Sequence, residues 1–143
     1  MKKSMTEKNI LVSEDKSKLD IDFIYNFLSQ SYWGKGRERE AVLKSISNSL
    51  CFGIYDNDRQ IGFARVVTDY TYFAYLFDVF IIDPYRGNGY SKKLLRYIFD
   101  NDKLSSIKKW MLTTTDAHGL YKKFGFTELS SPEKIMEWVV NKK

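Results

Sequence analysis

Tyr75–Phe99, reading YLFDVFIIDPYRGNGYSKKLLRYIF, is the stretch around which the chain is organised. Its opening, Tyr75–Ile82, is nearly continuously apolar, the pattern of a strand buried on both faces. Asp83-Pro84 ends that run, because Pro cannot donate to a ladder and Asp readily starts a turn. Beyond the glycines, Tyr90, Leu94, Leu95, Ile98 and Phe99 recur at helical spacing and give one apolar face. The order is strand, glycine-rich turn, helix.

Arg86-Gly87-Asn88-Gly89-Tyr90-Ser91 joins the two elements. The first amides of a helix have no intrahelical acceptor, the dipole favours negative charge there, and glycine clears side chains from the approach. Two readings follow: an anion cradle for a phosphate or pyrophosphate, or a tight turn before an ordinary helix. Neither GxxxxGK[ST] nor a complete GxGxxG with a later ribose-binding acid is present. Lys92 and Lys93 open the helix, where cations oppose the dipole. That placement suits a nearby anion, and equally a solvated first turn.

Arg86-x-x-Gly89-x-Ser91 after an apolar strand resembles the Q/R-x-x-G-x-G/A motif with which the GNAT N-acetyltransferase superfamily holds the pyrophosphate of acetyl-CoA. Ser91 replaces the usual Gly or Ala and still permits close backbone approach. Downstream, Asp116-Ala117-His118-Gly119-Leu120-Tyr121-Lys122-Lys123-Phe124-Gly125-Phe126 resembles the family's A-x-x-x-Y-x-x-x-G-F helix and turn. The resemblance implies an α/β, GNAT-like single domain over residues 1–143, with a central mixed, mostly antiparallel sheet and helices on both faces. It also implies acetyl-CoA as co-substrate, held at Arg86, Gly87, Asn88, Gly89, Tyr90, Ser91 and Lys92. In such folds the fourth and fifth strands part around the pantetheine arm, so Phe80, Ile81 and Ile82 would offer it backbone groups. Tyr121 matches the tyrosine that many members use as general acid. Tyr32, Trp33 and Arg37 fall in the loop that forms the family's substrate wall.

Outside these motifs the chain is unremarkable for a globular protein: 143 residues, 43% hydrophobic and 16% aromatic. A single cysteine, Cys51, excludes an internal disulfide and suits a reducing compartment. With no leader pattern and no apolar run of membrane-spanning length, the expected location is the cytoplasm. The net charge of +5 owes much to Lys2, Lys3, Lys142 and Lys143, without which 19 basic residues face 18 acidic ones. Basic termini of this kind argue for neither a nucleic-acid nor a membrane partner.

Taken in order, Asn9–Val12 reads as an edge strand, Leu19–Leu28 as a helix, residues 31–37 as a loop and Glu38–Ser47 as a second helix. Leu50–Tyr55 and Gln60–Val67 flank a polar turn and read as a hairpin. Lys109–Thr113 is a further strand, Asp116 is placed to cap the Tyr121 helix, and Phe126–Leu129 with Ile135–Val140 make a last strand pair.

Asp78 is the odd residue of the central strand. A carboxylate in an apolar strand is costly unless paired. It is therefore a general base, a holder of a cationic substrate, or a structural carboxylate paired with Arg65 or with backbone N–H groups. Tyr121, with an ordinary pKa of ~10, stays protonated at neutral pH as an acid must; otherwise it is a packed helix tyrosine. His118, the only histidine, is read as a helix-surface or capping residue, and Cys51 as buried and inert. Neither has the partners a metal site needs, so no metal is expected. The expectation is transfer of an acetyl group from acetyl-CoA directly to a primary amine of a small molecule, by a monomer or homodimer. A non-catalytic acyl-CoA-binding module is the rival.

Overall fold

The computed structural model describes residues 9–140. The chain divides into two compact units, Met1–Thr113 and Thr114–Lys143.

The first unit is built on a five-stranded sheet in the order β1-β2-β3-β4-β5. The strands are β1 (Ile10–Ser13), β2 (Leu50–Asp56), β3 (Arg59–Thr68), β4 (Phe73–Ile81) and β5 (Lys109–Leu112). Neighbours from β1 to β4 are antiparallel, and β5 lies parallel to β4, so the sheet is mixed and mostly antiparallel. Asn57 takes a left-handed conformation in the tight β2–β3 turn, as a short polar side chain tolerates.

Among the described residues, three α-helices belong to this unit: α1 (Ile21–Gln30), α2 (Arg39–Ser47) and α3 (Tyr90–Phe99). Asp20 caps α1 by accepting the Phe23 amide. Ile24 and Leu28 of α1, with Val42 and Ile46 of α2, bury against Cys51, Phe63 and Phe80 on one face of the sheet. Phe52 follows Cys51 and so points to the other face, where its ring meets Tyr97 of α3 at 5.9 Å. Leu94, Leu95 and Ile98 of α3 are buried, as their spacing predicts. Helices thus cover both faces; β3 is buried on both sides over most of its length, whereas β4 alternates buried with half-buried residues until Phe80 and Ile81.

The second unit contains a short helix, α4 (His118–Lys122), and a 3-10 turn at Pro132–Lys134. Two expectations are corrected here. Residues 126–129 and 135–140 form no strand pair; Met136, Trp138 and Val139 stand 92%, 87% and 75% exposed. An apolar sequence becomes a strand only with a pairing partner, and none is present among the described residues. Nor does Asp116 cap α4: the N-cap is Ala117, whose amide donates to Thr114 Oγ1 at 3.0 Å.

Candidate active site

The turn between β4 and α3 is shaped by its backbone. A 3-10 turn at Asp83–Tyr85, opened by Pro84, turns the chain off the strand. Arg86 fastens it, with Nε donating to the Ile81 carbonyl at 2.7 Å and Nη1 to Asp83 Oδ1. Asn88 donates its amide to the carbonyls of Tyr85 and Arg86. Gly87 and Gly89 have φ of +81° and +79°, values that L residues rarely adopt, and a Cβ built on either meets no atom within 4 Å. Gly89 is the N-cap of α3, without a side-chain cap, and no acidic residue stands in the first turn. The amides of Tyr90 and Ser91 precede the start of the i→i−4 ladder, which opens at Lys93 N–H to Gly89 C=O. The side chains of Arg86 and Asn88 thus brace the turn, while the glycines and first helical amides leave an open, positively polarised concavity. A pyrophosphate fits that chemistry.

Beside it, β4 and β5 part company. Their pairing runs only from Phe73–Lys109 to Leu76–Leu112, although β4 continues to Ile81. Phe77–Ile81 therefore presents a strand edge with no β5 partner. Ile82 N–H is already committed to the Ile61 carbonyl. Phe80 has its side chain in the core, stacked on Phe27 at 3.8 Å, so only its backbone is available to a ligand.

Asp78 sits at a break in the β3–β4 register. Phe63 pairs with Phe80 and Arg65 with Phe77, so β4 carries one extra residue between the pairs. Asp78 takes up the bulge with φ of +58°. Because strand side chains alternate with period 2, the extra residue brings Phe80 to the same face as Phe77 and Tyr75. The Asp78 side chain is 1% exposed. Its Oδ2 accepts from Arg65 Nε and Arg37 Nη1, each at 3.0 Å, and its Oδ1 from Trp33 Nε1 at 3.1 Å. Arg65 also donates to Ser49 Oγ and lies over the Phe77 ring, 4.6 Å from its centroid.

Trp33 and Arg37 come from the α1–α2 loop, which reaches Asp78 because Gly34 lets the chain fold tightly. A Cβ there would stand 2.4 Å from the Leu28 carbonyl oxygen. Tyr32 packs edge-on against Trp33 and is largely exposed. The loop expected to form a substrate wall is thus tied to the central strand through Asp78.

In the second unit Tyr121 is buried on α4, with the Phe126 ring edge-on at 5.8 Å. Gly125 at φ +106° closes the helix, and the Phe126 amide returns to the Tyr121 carbonyl. Burial first, and the nearby Asp116 charge second, push the Tyr121 hydroxyl up to about 12. It therefore carries its proton throughout the neutral range. His118 opens the same helix. Among the described residues no three His, Cys, Asp or Glu side chains gather as a metal site would need.

The model of the acetyltransferase (GNAT) domain matches residues 47–128, more than half of the chain. The chain belongs to the GNAT acetyltransferase family. A structure from Xanthomonas campestris pv. campestris, described as a putative acetyltransferase of the same family, is 44% identical. It covers 92% of this chain and 94% of its own, with a TM-score of 0.90. A curated Gibberella zeae protein, named as a putative acetyltransferase, is 28% identical over 141 residues, covering 82% of this chain and 78% of its own. The fold is shared more distantly by a Clostridium acetobutylicum protein solved with acetyl-CoA, at 18% identity, a TM-score of 0.65 and coverage of 95% and 96%.

The GNAT domain match takes in the glycine turn, Asp78 and Tyr121, while Trp33 and Arg37 precede it. Arg65 was legible only as a partner for Asp78. Its position facing Phe77 depends on strand register, which a single sequence does not print. Phe77 and Tyr75, stacked at 4.4 Å, likewise read as core yet are only half-buried.

Proposed function

We propose that this acetyltransferase moves the acetyl group of acetyl-CoA directly to a primary amine of a small molecule. The observation that carries the proposal is the left-handed glycine turn at the start of α3, beside the open edge of β4. Gly87, Gly89 and the amides of Tyr90 and Ser91 would hold the pyrophosphate, with Lys92 adding charge in the first turn. The unpaired β4 edge around Phe80 and Ile81 is suited to hydrogen-bond an extended amide-bearing arm, as a strand would. When bound, acetyl-CoA supplies a thioester whose carbonyl is open to attack by an amine.

Tyr121 is proposed to give its proton to the departing sulfur, for which a hydroxyl protonated up to about pH 12 is in the right state. Asp78 is better placed as a positioning residue than as a base. Its oxygens are already taken up by two guanidiniums and an indole, and those bonds fix Trp33 and Arg37. The amine would then lose its proton to another group or to water.

The test is a thiol-release assay with acetyl-CoA and a panel of amino acids, polyamines, aminoglycosides, arylamines and peptides, with mass spectrometry of the acetylated product. Amine-dependent release supports transfer. Tight acetyl-CoA binding without release on any amine would instead favour a non-catalytic acyl-CoA-binding module.

A further inference from the structure

Asp78 brings one negative charge to a cluster that contains two guanidiniums, Arg37 and Arg65. The cluster is therefore left with one positive charge. Arg65 is committed: it donates to Asp78 and Ser49 and is covered by the Phe77 ring. Arg37 is not. Its side chain is 30% exposed, and only Nη1 donates to another side chain among the described residues. Nε and Nη2 remain as a donor edge on a guanidinium whose other edge is pinned.

The surface next to this cluster is aromatic. On the sheet face that carries Arg65, register places Phe77 opposite Arg65 and Tyr75 opposite Val67. Phe77 and Tyr75 stack at 4.4 Å, and Phe73 and Val67 along the same face are 37% and 40% exposed. This part of the face is incompletely covered, whereas Phe63 and Phe80 on the same side are sealed by α1 and α2.

We propose that the acceptor is an amine that also carries an oxyanion and has a flat apolar body, with the oxyanion bound by Arg37 and the body laid on Phe77 and Tyr75. This rests on the transfer reading above and narrows its substrate class. An amine approaching as a bare cation meets a cluster of the same sign in a partly desolvated place, where repulsion is only weakly screened. An oxyanion on the same molecule cancels that charge. A guanidinium fork matches a planar or tetrahedral oxyanion through paired N–H donors, which also fixes orientation. The aromatic face selects a body that can stack on it.

The test separates binding from turnover. Calorimetry is run on the full chain with 3-phenylpropionate and its neutral counterpart 3-phenylpropanamide, both lacking the amine. The acid should bind at least tenfold more tightly than the amide. Arg37→Gln should remove that preference while acetyl-CoA affinity stays the same, and Arg37→Lys, keeping charge without the fork, should restore part of it. In the thiol-release assay phenylalanine should exceed phenylalaninamide and phenethylamine in kcat/KM by tenfold or more. The phosphonate analogue of phenylalanine distinguishes a carboxylate from a tetrahedral oxyanion. Equal binding of acid and amide, no binding of either, or turnover confined to polyamines would overturn the inference. Polyamine turnover would leave acetyl transfer standing. Failure of thiol release with all amines, alongside retained acid-selective binding, would overturn transfer alone.

Discussion

Replacing Asp78 by Asn probes the charge cluster while leaving the backbone alone. Asn is one of the few residues that tolerate a left-handed conformation, so the bulge at φ +58° should survive. What disappears is the counter-charge for Arg65, whose side chain is 10% exposed, and for Arg37 at 30%. Removing one partner of a buried ion pair typically costs about 3–5 kcal/mol, because the other charge is stranded. Two features place the loss near the lower bound. The Asn side-chain oxygen still accepts one bond, and Arg37, partly exposed, can turn to water. The expected destabilisation is about 3 kcal/mol, a large share of the ~5–15 kcal/mol that holds a domain together. Equilibrium urea unfolding should show it as a lower midpoint at unchanged slope. Asp78→Ala should lose roughly a further 1–2 kcal/mol, since alanine must also take the left-handed conformation. An Asn variant within about 1 kcal/mol of wild type would refute the claim that the carboxylate stabilises a buried Arg65 and a partly buried Arg37.

Other outcomes follow from single sites. Tyr121→Phe should lower kcat by roughly 10²-fold with acetyl-CoA affinity changed by no more than a few-fold; full kcat where chemistry limits the rate would leave Tyr121 a packing residue. Gly89→Glu puts a charge and a strained residue into the helix start, and calorimetry should show acetyl-CoA binding weakened by ~2 kcal/mol or more in a folded protein. Among the described residues the buried Tyr55 hydroxyl has no hydrogen-bond partner, so Tyr55→Phe should leave the melting temperature unchanged or raise it, and a clear fall would refute this. Burial lifts Cys51 to about 11 and Tyr55 and Tyr121 to about 12. The unfolded chain therefore releases these protons first, and the stability these three groups contribute should be level from neutral pH to about 9 and fall as pH rises toward 12. Stability that stays flat to pH 11 would contradict that burial.

The strands and helices of the first unit were legible because each carries its own period. The run of apolar residues in β4, the helical spacing of Leu94, Leu95 and Ile98, and the glycines between them are local signals that burial then rewards. The cradle could be read for the same reason: helix termini and glycine act through neighbouring residues. Asp78 was visible as an anomaly, but not its bulge, because the register slip exists only once β3 is paired beside it. Trp33 and Arg37 reach it across 45 and 41 positions of chain, a separation that no local pattern encodes. The opposite error occurred at Ile135–Val140, where apolar residues suggested a strand. Strand propensity measures fit to a pleated, half-buried surface, and these side chains meet none among the described residues.

The placement of Cys51 has a practical side. The proposed reaction turns a thioester into a free thiol, so its progress is followed with disulfide reagents that also consume protein thiols. This chain has one sulfhydryl, 1% exposed in β2 and with its ionisation pushed up to about 11. At neutral pH almost none of it is thiolate, and the reagent cannot reach what little there is. The colour that develops should then report coenzyme alone, with no protein blank to subtract, and enzyme left standing in the assay should neither cross-link through sulfur nor form mixed disulfides with its own product.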